Sequence, residues 1–204
     1  MPWPFSSGPK YATAITLEEK LELLARLGFR LEEPFKVEDL LASWSREAFE
    51  RPDFNMVLVG LGMTEECSPW RKHCANIWHF DTECIEDDGA YVRIAEQMKS
   101  LAQGSLPIEN IRDHVDIRKR IAWLEFDFQG EHIHIDCQVN DDWVDTAVFS
   151  RIVELLAKSD PSKKFLYYDT GGQDCILACV TNEQFKELKR AGIGFQLLAN
   201  SMND

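Results

Sequence analysis

The stretch Glu131-His132-Ile133-His134-Ile135-Asp136-Cys137 alternates polar with apolar side chains and follows directly on Gln129-Gly130. Successive side chains of a β-strand point to opposite faces of a sheet, so this alternation predicts a strand with one buried and one wet face. Residues Ala122 to Phe128 alternate in the same way before Gln129-Gly130. Because a two-residue turn containing glycine joins antiparallel strands, the sequence predicts a β-hairpin here.

An acidic segment, Asn140-Asp141-Asp142-Trp143-Val144-Asp145, follows this strand and opens a predicted helix from Val144 to about Lys158. The next predicted strand, Phe165 to Tyr168, leads into a Gly-rich turn. If strand, helix and strand form a β-α-β unit, both strands run the same way and their carboxyl ends share one edge of the sheet. We therefore expect that edge to present five carboxylates: Asp141, Asp142, Asp145, Asp169 and Asp174.

A second acidic turn, which contains Glu83, Glu86, Asp87 and Asp88, precedes a helix predicted from Ala90 to Ala102. Any one of these acidic residues could instead cap a helix or form a turn. Trp143 supplies an aromatic anchor if it is exposed, although a Trp beside a helix start is equally at home in the core. Taken together, the two turns predict an acidic surface that binds a protein partner.

The remaining pattern predicts an α+β fold with a mixed sheet and helices packed on it. Thr16 and Glu19 form a capping box at the start of a helix that ends at Gly28, and Thr181 and Gln184 cap a helix through Arg190. Residues Val37 to about Phe49 predict another helix. Met56 to Leu61 and Asn76 to Phe80 read as strands. We expect one domain over residues 1–204, with a subdivision into 1–105 and 106–204 as the alternative. The repeated strand, acidic turn and helix suggests two similar halves.

Charge restricts the classes of partner. Lys and Arg number 22 against 35 Asp and Glu, which gives a net charge of -13. Such an excess repels phosphate backbones and anionic lipid headgroups but attracts basic proteins, so we expect neither nucleic acid nor a membrane as partner. Six cysteines are spread over the chain, and the first residues lack a charged leader and apolar run. This pattern predicts reduced thiols in the cytoplasm.

A metal site is the alternative interpretation of the alternating strand. His132, His134 and Asp136 share one face, and two imidazoles with a carboxylate suit zinc or non-heme iron, as in a metal-dependent hydrolase or oxygenase. The string resembles the H-x-H-x-D-H motif of metallo-β-lactamase-type hydrolases, but Cys137 stands in place of the last His. Regular alternation with Ile133 and Ile135 favours an ordinary wet strand face instead.

Five further soft ligands lie close together in the sequence: Cys67, His73, Cys74, His79 and Cys84. Cys67 and Cys74 are further apart than the paired ligands of structural zinc sites, and buried thiols that act as small hydrophobes are the simpler explanation. No nucleophile elbow and no phosphate-binding glycine motif occurs. We therefore expect a binding protein that needs no cofactor and has no catalytic residues.

Three segments carry a resemblance to a known class: residues 139–145, residues 165–174 and Thr181-Asn182-Glu183-Gln184-Phe185. They resemble cytoplasmic immunity proteins encoded beside polymorphic toxins of bacterial contact-dependent or secretion-delivered competition systems. The likeness covers roughly residues 120 to 198 and is one of pattern, in families whose folds and binding residues differ. It implies stoichiometric inhibition of a cognate toxin. An acidic surface would suit a basic, nuclease-like toxin, because it would occupy the Arg and Lys that grip nucleic acid.

Overall fold

The computed structural model describes residues 15–65 and 71–198. Its helices are α1 (Leu17–Arg26), α2 (Val37–Ser43), α3 (Arg46–Phe49), α4 (Asn55–Gly62), α5 (Ala90–Leu101), α6 (Thr146–Ser159) and α7 (Asn182–Arg190). Its strands are β1 (Thr64–Glu65), β2 (Arg71–Lys72), β3 (Ile77–Asp81), β4 (Ile108–Asp116), β5 (Ile121–Phe128), β6 (Glu131–Asp136), β7 (Lys163–Asp169), β8 (Asp174–Thr181) and β9 (Gln196–Leu197).

Within the described residues, the strands form a central sheet in the order β3-β8-β7-β9, an outer sheet β4-β5-β6 and a small ribbon β1-β2. Every pairing is antiparallel. The predicted α+β class is therefore confirmed. The expected β-α-β unit is wrong, because β6 belongs to the outer sheet and β7 to the central sheet.

The central sheet is covered on both faces. Along β8, Cys175, Leu177 and Cys179 face a core shared with the outer sheet, α5 and α6, whereas Ile176, Ala178 and Val180 face a core shared with α1, α4 and α7. A strand buried on both faces reads as an unbroken apolar run. Because β3 pairs with β8, residues from before and after position 106 lie side by side in this sheet.

Several local predictions are confirmed at element ends. The Thr16 side chain accepts a hydrogen bond from Glu19 N at 3.2 Å, and the Thr181 side chain accepts one from Gln184 N at 3.2 Å, so both capping boxes form. β5 and β6 form the predicted hairpin, in which Gln129-Gly130 adopts φ angles of 52° and 85°. A two-residue turn with both φ values positive matches the twist of the strands that it joins.

Two predictions about the N-terminal half are wrong. Residues Met56 to Leu61 belong to helix α4 and do not form a strand. The run is buried on nearly all sides, and periodicity alone does not separate a buried helix from a buried strand. The helix predicted from Val37 to Phe49 is divided into α2 and α3, because Trp44 is extended at φ -142° and ψ 155°.

Carboxylates on β4 and beside α5 fix the helix to the outer sheet. Asp113 accepts hydrogen bonds from the backbone N–H groups of Gly89, Tyr91 and Val92 at 2.7 to 3.1 Å, which satisfies free donors at the start of α5. In return, Asp88 accepts one from Val115 N at 2.7 Å. These reciprocal hydrogen bonds fix the position of the loop before α5 relative to the outer sheet.

Candidate functional site

Two acidic loops, one before α5 and one before α6, lie side by side. Ile85 N donates to Asp142 O at 2.9 Å, and Val144 N donates to Thr82 O at 2.9 Å. These crossed backbone hydrogen bonds hold the loops against each other. The two acidic turns that the sequence places far apart therefore form one surface.

The same loops continue onto one end of the central sheet. β3 ends at Asp81, which is the register partner of Asp174 at the start of β8, and β7 ends at Asp169 on the other side of β8. Thr82 N donates to Gln173 O at 3.1 Å, which ties the loop before α5 to the turn before β8. Antiparallel pairing thus brings the ends of β3 and β7 to the start of β8.

We call this edge the acidic rim. Its carboxylates act on two thiols, Cys84 and Cys175. Burial raises the pKa of Cys84 to about 11, and nearby carboxylates add to the rise. Burial likewise raises the pKa of Cys175, again with nearby carboxylates. Asp81 joins the two groups of carboxylates, because it ends β3 as the register partner of Asp174 and precedes the loop that contains Glu83 and Glu86. The rim is defined by the carboxylates of the two loops and of the adjoining strand ends, with Trp143 among them: Asp81, Glu83, Glu86, Asp141, Asp142, Asp169 and Asp174.

The charge of the acidic rim is left without basic partners. Among residues 15–65 and 71–198, none of its carboxylates forms a salt bridge with Lys or Arg. Carboxylates elsewhere do, such as Glu18 with Arg46 on one side of the molecule and Glu187 with Arg190 on α7. The rim carboxylates therefore lack direct Lys or Arg partners within the described residues, although Arg93 acts electrostatically on Cys84 beside them.

His79 is the hydrogen-bonding partner of one rim carboxylate. Its Nε2 lies 2.7 Å from Asp174 Oδ2. Partial burial acts to raise the pKa of the Asp174 carboxyl, but hydrogen bonds with His79 and Thr170 outweigh it, so this pKa lies below its ordinary value. Gly62 of α4 allows the close approach that fixes His79, because a Cβ at Gly62 would lie 2.5 Å from His79 N. Asp174 is therefore ionised, and its carboxylate already forms a hydrogen bond within the protein.

Trp143 lies on the surface of the acidic rim. Its side chain is 40% exposed, and its backbone forms an isolated bridge with Glu83 across the two loops. The sequence allowed either an exposed or a core position for Trp143, and the structure has the exposed one. An exposed indole held by a fixed loop, among carboxylates, has the character of an interface anchor.

Other predicted binding carboxylates also have local partners. Asp169 accepts a hydrogen bond from Gly171 N at 2.8 Å. Asp145 accepts from Ala147 N at 2.9 Å as the N-cap of α6 and from Gln138 N at 2.6 Å, so both oxygens are engaged. Asp88 holds β4 as described above and also lies 3.0 Å from His114 Nδ1, and Asp87 lies 3.9 Å from an Arg93 nitrogen.

Asp81 was absent from the predicted set. Its position directly after the predicted strand Asn76 to Phe80 and just before an acidic turn is the signal that could have identified it; in the structure it is the last residue of β3.

His132, His134 and Asp136 lie on the wet face of the outer sheet, as the alternation predicts. His132 Nδ1 is 3.2 Å from Asp127 Oδ1, and His134 Nε2 is 3.3 Å from Asp136 Oδ1. The opposite nitrogens lie 3.5 Å and 3.4 Å from Glu125 Oε2. Hydrogen bonds with Glu125 and then Asp136 raise the pKa of His134. The two imidazoles therefore flank one cross-strand carboxylate.

The other soft ligands are dispersed. His73 and Cys74 are buried near α4, His79 lies on β3, and Cys84 lies in the loop before α5. Cys67 lies outside the described residues. Within the part of the chain that the structure describes, no group of three or more His, Cys, Asp or Glu side chains has an arrangement that could hold a metal ion.

Comparison of this chain with protein-family models, with curated proteins and with solved structures gave no match. Among the helices in residues 15–65 and 71–198, none combines the length and apolar character needed to cross a bilayer. The fold places the chain in the α+β class, and the most distinctive surface feature is the acidic rim around Trp143.

Proposed function

We propose that this protein is a cytoplasmic immunity protein that binds and neutralises a cognate bacterial toxin, and that the toxin domain is basic and nuclease-like. The observation that supports this proposal best is the acidic rim, whose carboxylates lack Lys or Arg partners within the described residues. A partner with Arg and Lys on its nucleic-acid-binding surface would supply the missing cations. Binding there would exclude the nucleic acid from the toxin.

The rim suits fast and tight association. A concentrated negative field steers a cationic protein toward the correct face and raises the association rate well above that of a neutral pair. Trp143, exposed among the charges, would then slow dissociation by burying its indole against the partner. Speed matters for an inhibitor of this class, because free toxin must be captured before it acts.

Co-expression with the toxin domain encoded beside this gene is the direct test. We expect cells that produce the domain to survive with the protein and to die without it, and we expect the purified pair to form a one-to-one complex by light scattering. An unrelated acidic protein of similar size is the control for charge alone. Absence of protection and of a complex would contradict the proposal. Stable binding to several unrelated proteins would indicate a general scaffold instead.

A metal-dependent hydrolase or oxygenase built on His132, His134 and Asp136 is the second candidate. Both imidazoles lie within 3.5 Å of Glu125 Oε2, but within the described residues these side chains do not have the arrangement of a metal site. Metal analysis of protein purified without chelator tests this candidate. If the candidate is correct, stoichiometric metal is expected in the unmodified protein and none in the His132→Ala/His134→Ala variant. Equal, trace metal in both would contradict it. His114, which pairs with Asp88 on the same outer face, offers the matched control variant His114→Ala.

A further inference from the structure

A recess of about 340 Å³ opens at the hairpin end of the outer sheet. It lies at the opposite end of β6 from the acidic rim, because β6 begins beside the hairpin turn and the chain reaches the rim only after Asp136. Five residue steps along a strand span about 17 Å. The recess is therefore a separate surface, and the inference below does not rest on the proposed function. Its lining residues are Pro107, Glu109, Asp127, Gln129, Gly130 and His132.

Two carboxylates face each other inside the recess. Glu109 on β4 is the register partner of Asp127 on β5. Like charges directly opposite each other on neighbouring strands destabilise a sheet. Arg112 acts on Asp127 electrostatically, but its salt bridge is with Glu125, at 2.9 Å. Among the described residues, neither Glu109 nor Asp127 forms a salt bridge with Lys or Arg.

Asp127 is held in its ionised form. Asn110 Nδ2 donates to Asp127 Oδ2 at 2.6 Å, and His132 Nδ1 lies 3.2 Å from Asp127 Oδ1. The hydrogen bond from Asn110, followed by that from His132, lowers the pKa of the Asp127 carboxyl. The recess thus presents a fixed carboxylate on one strand and an exposed, unpaired one on the next.

We propose that this recess binds the guanidinium group of an arginine side chain from a protein partner. A guanidinium is planar and carries five donors in a fixed fork, so it can bond to carboxylates on two neighbouring strands at once. At about 30 Å³ per water, the recess holds roughly ten waters, which is ample for this group and its methylene stem. A free amino acid would bring its own carboxylate into an acidic site, so a side chain within a polypeptide fits better.

Small probes test the recess without any partner protein. We expect N-acetyl-arginine amide to shift the NMR signals of the His132 ring and of the Gln129 and Gly130 amides in a saturable manner. N-acetyl-citrulline amide has the same shape without the charge and should bind about tenfold more weakly. Free arginine should also bind more weakly than the amide. Equal binding of the arginine and citrulline probes would overturn the proposal, and equal binding of free arginine would overturn the choice of a protein side chain.

Substitutions test whether the arginine probe binds at Glu109. Glu109→Gln should weaken binding of the arginine probe about fivefold, because one of the two opposed carboxylates is lost. The same change should leave the melting temperature unchanged or raise it, since it removes a like-charge pair. Glu38→Gln, an exposed carboxylate on α2, is the matched control and should bind as the unmodified protein does. Unchanged binding in Glu109→Gln would overturn the assignment of the site.

Discussion

Replacing Lys20 with methionine (Lys20→Met) is expected to lower the free energy of unfolding by about 3 kcal/mol. Lys20 is fully buried, and its Nζ donates to Phe49 O at 2.8 Å, to Asp53 O at 2.5 Å and to Arg51 O. All three protons of the ammonium group therefore have an acceptor. The ammonium also lies 5.3 Å from the centre of the Phe54 ring, close enough for a cation–π contact.

The physical reason is the segment that Lys20 holds. These carbonyls belong to the last residue of α3, Phe49, and to the connection between α3 and α4. Burial lowers the pKa of the Lys20 ammonium, because desolvation penalises its charge. Methionine keeps the apolar stem but leaves the carbonyls without a donor. An unsatisfied buried group costs about 1–3 kcal/mol, and part of the total is recovered because a buried charge is removed.

Urea denaturation followed by circular dichroism measures this loss, and thermal unfolding should shift by about 6–12 °C for a chain of this size. Lys158→Met on α6 is the matched control, because Lys158 is exposed and should change stability by less than about 0.5 kcal/mol. If Lys20→Met unfolds like Lys158→Met, the carbonyls do not depend on the ammonium.

Reversing charge on the acidic rim is expected to have the second large effect. The variant Asp141→Lys/Asp142→Lys should weaken binding of the basic toxin domain about 100-fold, chiefly by slowing association, while the fold stays intact. Neither side chain forms a salt bridge within the described residues. Their replacement therefore removes attraction without breaking an internal pair. The measurement is surface plasmon resonance at several salt concentrations, where the unmodified protein should lose association rate as salt rises.

A control of equal charge separates location from net charge. Glu183→Lys/Glu187→Lys makes the same change on α7, which begins at the end of β8 that lies opposite Asp174. The exposed pairs that it breaks contribute little to stability. This control should bind the toxin domain within a few-fold of the unmodified protein. Similar loss in both variants would mean that overall charge, and not the rim, governs binding.

The hairpin and both capping boxes were predictable because their signals are local. Thr16 and Glu19 are three residues apart, so each satisfies a backbone group within its own turn. Gln129-Gly130 likewise adopts positive φ angles in a two-residue turn, a conformation that glycine favours locally. In α4, by contrast, the apolar run from Val57 to Leu61 is buried on nearly all sides. A continuous apolar run shows neither the helical nor the strand periodicity, so the sequence did not distinguish the two.

The candidate site was predictable only in part. The acidic turns are visible in the sequence, but the reason given for their meeting, a parallel β-α-β unit, is wrong. They meet because β3 and β8 are antiparallel and because Ile85 and Val144 make hydrogen bonds across the two loops. Sequence position also did not separate Asp145, which caps α6, from Asp142, which does not cap it.

By itself, the sequence determined the α+β class, the helix starts, the hairpin and the excess of negative charge, since each follows from neighbouring residues or from composition. Only the tertiary structure decided which carboxylates share a surface, that Trp143 lies among them, and that Glu109 opposes Asp127. Contacts between residues far apart in the chain depend on strand pairing. Strand pairing is selected by how the whole core packs, and no single segment encodes it.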